Sequence, residues 1–97
     1  LSRIVAGGKI ENIYRLQIMN ATEGAQRYVI SARGLDGLEV ISEPEIDIGP
    51  AESRWVVVRL QIPYGSAAPG SHTVYFDVRA QDDKGQVAEK SVFLVPR

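Results

Sequence analysis

An all-β fold of two packed antiparallel sheets is what the sequence predicts, and three observations predict it. Apolar residues recur at every second position in segment after segment, and no window sustains the i, i+3, i+4, i+7 spacing of an amphipathic helix. Clusters of Gly, Pro, Asn and Asp break the alternation at intervals of roughly 8–12 residues, the spacing of β-sandwiches.

The elements follow in order. From Asn12 to Met19, Tyr14, Leu16 and Ile18 share one face, Arg15 and Gln17 take the other, and Asn20-Ala21-Thr22-Glu23-Gly24 reads as a turn. A second strand sets Tyr28, Ile30 and Ala32 against Arg27, Val29, Ser31 and Arg33, and Gly34 closes it where a bend or bulge is suited. Leu38 and Val40 mark a short third element. After Pro44, Ile46 and Ile48 alternate with Glu45 and Asp47 until Gly49-Pro50 stops the pairing. Val56, Val58, Leu60 and Ile62 define the inward face of a longer strand, with Trp55, Val57, Arg59 and Gln61 opposite, and Pro63 ends it because proline cannot donate to a ladder. Beyond the loop between Gly65 and Gly70, His72, Val74, Phe76, Val78 and Ala80 alternate with Thr73, Tyr75, Asp77 and Arg79. Asp82-Asp83-Lys84-Gly85 then offers hairpin-turn chemistry into a last strand from Val87 to Val95. The result is an immunoglobulin- or fibronectin-III-like two-sheet antiparallel sandwich of about seven strands. Residues 10–97 read as the domain and residues 1–9 as a linker from a preceding part, loosened at Gly7-Gly8.

Composition narrows the function classes. A chain of 97 residues has room for one hydrophobic core, and its 44% apolar content is ordinary for a globular domain. It contains no cysteine, which removes disulfides, thiolate metal sites and cysteine nucleophiles together. Eleven basic and twelve acidic residues leave a net charge of −1 with no basic cluster, so nucleic acid is not an expected partner. No apolar run approaches the ~20 residues that cross a bilayer, and there is no signal-peptide core. The chain begins at Leu1 rather than Met, which suggests a segment of a longer protein.

Candidates for chemistry are few. His72 is the only histidine, and it reads as a partly buried residue bonded to backbone or solvent rather than as a general base or ligand. Met19 offers a thioether suited to Cu(I), but soft-metal sites need two or more such ligands, so it reads as strand packing. Glu43, Glu45, Asp47, Asp82 and Asp83 lack the ligand spacing of a calcium loop and read as solvated charge, which guards an edge against aggregation. Asn20-Ala21-Thr22 fits the N-glycosylation pattern but reads as a turn. Trp55, Val57 and Tyr75 fall on faces opposite the core stripes and are the candidates for contact with a partner. No catalytic residue, cofactor site or small-molecule substrate is indicated.

Three stretches, IENIYRLQIMNATE (Ile10 to Glu23), GSHTVYFDV (Gly70 to Val78) and EKSVFLVPR (Glu89 to Arg97), together resemble the C-terminal domain of the FixG/CcoG family. The resemblance spans nearly the whole chain. It implies a parent protein in the bacterial inner membrane with several transmembrane helices, two ferredoxin-type 4Fe-4S clusters and this module at its C-terminus on the periplasmic side. It further implies a part in electron transport, as a redox-active iron–sulfur accessory protein that assists copper delivery to, and assembly of, a cbb-type cytochrome c oxidase. The fragment lacks the cluster cysteines and the membrane helices, so that redox activity does not carry over to it. The expectation for this chain is a non-catalytic interaction module whose partner is an oxidase subunit or a copper donor. The alternatives are a copper-binding domain using His72 and Met19, or a purely structural module that stabilises the membrane part.

Overall fold

The computed structural model describes residues 2–82 and 85–97. Near the N-terminus Gly7 and Gly8 both hold positive φ, 80° and 68°, a region glycine enters without steric penalty, and the chain reverses sharply there. Strand β1 (Ser2–Val5) is thereby laid antiparallel on the start of β2 (Lys9–Met19), with Arg3 opposite Glu11 and Ile4 opposite Ile10. This corrects the expected linker over residues 1–9. The two glycines tighten the chain into a hairpin rather than loosening it.

The remaining strands are β3 (Gln26–Arg33), β4 (Glu39–Val40), β5 (Glu45–Ile48), β6 (Ser53–Pro63), β7 (Gly70–Ala80) and β8 (Gln86–Val95). Eight strands stand in place of the expected seven or so, and β1 is the addition. They form two four-stranded sheets, ordered β1-β2-β6-β4 and β5-β3-β7-β8, in which every pairing is antiparallel. No helix occurs among the described residues. Of the proposed last hairpin turn, Asp83 and Lys84 lie outside the described residues.

Alternation sets the core. Ile10 and Ile18 of β2 and Val58, Leu60 and Ile62 of β6 are buried against Ile30, Ile46, Ile48, Val74, Phe76, Phe93 and Val95 of the other sheet. Each such side chain contributes about 1.5–3 kcal/mol by leaving water, so the cross-sheet stripe is the main source of stability. Tyr14 packs edge-on against Phe76, with ring centroids 4.9 Å apart at 74°, and its hydroxyl donates to the Val92 carbonyl at 2.8 Å. Gly34 holds φ at 125° where β3 ends, and a Cβ there would lie 2.7 Å from the Thr73 carbonyl oxygen. Only a residue without a side chain lets the backbone approach β7 so closely.

At the far end of β2, Asn20 is fully buried and ties two turns together. Its Nδ2 faces the carbonyls of Gly24, Ile48 and Gly49 at 2.8–3.1 Å, while Oδ1 accepts from the Thr22 amide and hydroxyl. The amide that a glycan would need is thus occupied inside the fold, in keeping with the reading of this tripeptide as a turn.

Candidate functional site

The residues singled out for chemistry do not meet. His72 sits two residues into β7 and is half-buried, and its Nε2–H donates to the Ala68 carbonyl at 2.6 Å. Met19 lies at the opposite end of the sandwich. The Lys9 end of β2 abuts Pro63 and the loop leading to β7, whereas Met19 pairs with Ser53. Nor does Met19 pack, as the sequence suggested: at 67% exposure it projects from the outer face, one position out of phase with Ile18. Among the described residues no three His, Asp or Glu side chains gather as a metal would require. Iron–sulfur clusters of the kind implied for the parent need thiolate ligands, and this chain has none, so its residues do not fit such a group.

Trp55 and Val57 do form a surface together. They stand on the outer face of β6 at 59% and 55% exposure, and β2 presents Gln17 and Arg15 directly across from them. The Arg15 guanidinium lies over the indole, 5.3 Å from the ring centroid, which holds the ring against the sheet by cation–π attraction. Ile13, diagonal to Val57, extends the apolar patch. Tyr75, the third candidate, is on the outer face of the other sheet, since it pairs with Arg33 and Lys90. It is half-buried beneath the Arg33 guanidinium at 4.6 Å and cannot share a partner footprint with Trp55.

The outer face of the first sheet also carries a shielded carboxylate. Glu11 is 1% exposed although it points away from the core, because Arg3 and Gln61 lie across it. Gln61 Nε2 donates to Oε2 at 2.8 Å, and Arg3 donates to Oε1 from Nε and Nη2 at 3.0 and 2.7 Å. These hydrogen bonds, Gln61 first and Arg3 next, hold its pKa below the ordinary 4.5 against the opposing effect of desolvation, with the charges of Arg3 and Arg59 adding to the lowering. Glu45 and Asp47, expected as solvated edge charge, are exposed and pair with Arg27.

Sequence reasoning identifies Trp55 and Val57 but not their companions Arg15 and Ile13. The missing signal is register: which residue of β2 stands beside which of β6 depends on strand order, and a single sequence carries no direct mark of that.

Residues 1–96 match the family model described as "IG-like fold at C-terminal of FixG, putative oxidoreductase". The chain belongs to this family. Its fold matches the crystal structure of a FixG-related protein from Vibrio parahaemolyticus at a TM-score of 0.84, with 19% identity over 97% of this chain and 90% of that one. A more distant likeness joins this FixG C-terminal domain to SSP-19, an MSP-domain protein-like family member in Caenorhabditis elegans. There the TM-score is 0.52 and the identity 11%, over 88% of each chain. At such identities both likenesses concern the fold alone. No curated protein matches the chain in sequence.

Proposed function

We propose that this FixG C-terminal domain is a non-catalytic interaction module that docks a partner protein on the Trp55–Val57 face. In this reading the parent is an inner-membrane iron–sulfur protein with the domain on its periplasmic side, and the partner is an oxidase subunit or copper donor in cbb-type cytochrome c oxidase assembly. The observation that carries it is an exposed tryptophan held by Arg15 beside exposed Val57 and half-buried Ile13, on a domain whose described residues gather no three metal-ligating side chains. Large apolar side chains held rigid at the surface are the usual anchors of protein interfaces, because little side-chain entropy is lost when they are covered. Affinity capture from membranes with the full-length parent protein tests the proposal. Trp55→Ala is expected to reduce recovery of the oxidase subunits or copper donor at least severalfold at unchanged protein level, and unchanged recovery overturns the assignment of this face.

A further inference from the structure

The two sheets are open along both sides, and the two openings differ. On one side, the free edges of β6 and β5 are bridged where Arg54 donates to the Asp47 carbonyl, and β4 with Ile41 and Ser42 covers β6 near Arg59. On the other side, β1 covers β2 only from Lys9 to Asn12, and the side chains of Ser2, Asn12 and Tyr14 satisfy the β8 edge at Leu94 and Val92. Beyond Tyr14 neither edge is paired among the described residues.

Hydrogen-bond alternation says which backbone groups are left. Asn20 donates to Glu52 and Tyr64 to Gly8, so even-numbered residues of β2 face β6, and Arg15, Gln17 and Met19 present their N–H and C=O groups outward. Ala80 donates to Gly85, so odd-numbered residues of β8 face β7, and Gln86, Ala88 and Lys90 are the ones turned outward. Between the two edges runs a groove of about 600 Å³, floored by Leu16, Ile18, Tyr28, Val78 and the 61% exposed Val87. Glu89 pairs with core residue Phe76, so it points to the inner side and into this apolar groove.

We infer that this groove accepts an extended strand of a partner polypeptide, added antiparallel to β2 in line with β1, with alternate apolar side chains filling the groove and a basic one meeting Glu89. Ladder continuity sets the direction, since β1 already occupies the neighbouring positions of the same edge. Charge sets the partner. Glu89 has no ion pair among the described residues, and a second copy of this chain joined edge to edge would bring a second Glu89 to the same seam, whereas a Lys- or Arg-bearing strand neutralises it. This inference rests on the reading of the domain as an interaction module, and the two surfaces adjoin, since Trp55 and the Arg15 that lies over it also line the groove.

The test is amide hydrogen exchange with three synthetic nonapeptides at millimolar concentration: an alternating Val/Thr sequence with a central inward Lys, the same sequence with Glu in place of Lys, and a scrambled control. The expected result is at least tenfold protection of the outward amides at Arg15, Gln17 and Met19 by the Lys peptide, a tenfold or greater loss of affinity for the Glu peptide, and no protection by the scrambled one. Gln17→Pro, which removes an outward N–H and leaves the β2–β6 ladder intact, and Val87→Lys on the exposed groove floor are each expected to abolish the protection. Absence of protection, equal protection by all three peptides, or protection that appears without peptide as the protein is concentrated overturns the inference, the last by naming a second copy as the occupant. Loss of partner capture by Trp55→Ala alongside full capture by Gln17→Pro leaves the interaction-module reading standing and sinks strand addition alone.

Discussion

Asn12 and Leu94 exchange two hydrogen bonds across the sandwich: the Leu94 amide donates to Asn12 Oδ1 at 2.9 Å, and Asn12 Nδ2 donates to the Leu94 carbonyl at 3.0 Å. A side chain of β2 thus stands in for a neighbouring strand and, with the Ser2 hydroxyl of β1, caps the free edge of β8. Asn12 is buried at a position whose alternation would otherwise hold an apolar residue. Replacing it with Leu leaves the Leu94 amide without a protein partner and its carbonyl with the Ser2 hydroxyl alone, and an unmade buried hydrogen bond costs about 1–3 kcal/mol. Asn12→Leu is therefore expected to lower unfolding stability by that order in urea titration and to speed exchange of the Leu94 amide, while amides in β3 follow only the global change.

Alternation makes the inward faces of β2, β3, β6 and β7 legible in the sequence alone, because a core-facing residue at every second position has one cause. Val58 and Phe76 are buried as that period requires. Asn12 is illegible for the same reason: a polar residue in phase with Tyr14 carries no mark of the strand edge it caps. The β1 hairpin is hidden because Gly7-Gly8 fits a tight reversal as well as a flexible tether, and the choice depends on whether Arg3 finds Glu11. Of the proposed surface, the exposure of Trp55 follows from phase alone. Its cradle of Arg15 and the open groove beside β8 follow from strand order and strand length, which are properties of the assembled sheets.

Glu11 gives the fold an acid-sensitive contact. Its pKa is held below the ordinary value in the folded protein, so its contribution to stability is present above about pH 4.5 and is lost as pH falls through the lower folded value. Glu11→Gln is expected to cost on the order of 1 kcal/mol at neutral pH, the scale of hydrogen bonds to a charged group near the surface. Denaturant midpoints of the two proteins should converge as the pH is lowered. A constant gap from pH 7 to pH 2 would show that the carboxylate charge is not what Arg3 and Gln61 hold.

Tyr14 reports at the other end of the pH scale. Burial raises its phenol to about 12 from 10.0, so the folded state retains the proton more firmly than the unfolded chain. Its contribution is then complete below pH 10 and declines as the pH rises from about 10 towards 12. Tyr14→Phe removes the bond to the Val92 carbonyl and is expected to cost about 1 kcal/mol at neutral pH. The same change should flatten the alkaline fall in stability between those limits, and ultraviolet titration of the phenolate in the wild type should show one group titrating late.

Gly34 and Gly24 form a matched pair for testing how much the close approach at the end of β3 matters. A methyl group on Gly34 meets the Thr73 carbonyl oxygen at 2.7 Å and the Val74 Cα at 3.0 Å, from a backbone φ that side chains rarely adopt, while one on Gly24 meets nothing within 4 Å. Steric overlap with backbone cannot be relieved by rotating a side chain, so either β3 or β7 must shift, and both carry core residues, Ile30 on one and Phe76 on the other. Gly34→Ala is expected to destabilise by about 2 kcal/mol or more, within the range for strain at special backbone positions combined with core displacement. Gly24→Ala is expected to fall within about 1 kcal/mol of wild type, because it only restricts the unfolded chain and a turn that has room. Thermal unfolding of both variants decides the matter: equal melting temperatures would mean that β3 and β7 do not approach as closely in solution as the position of Gly34 requires.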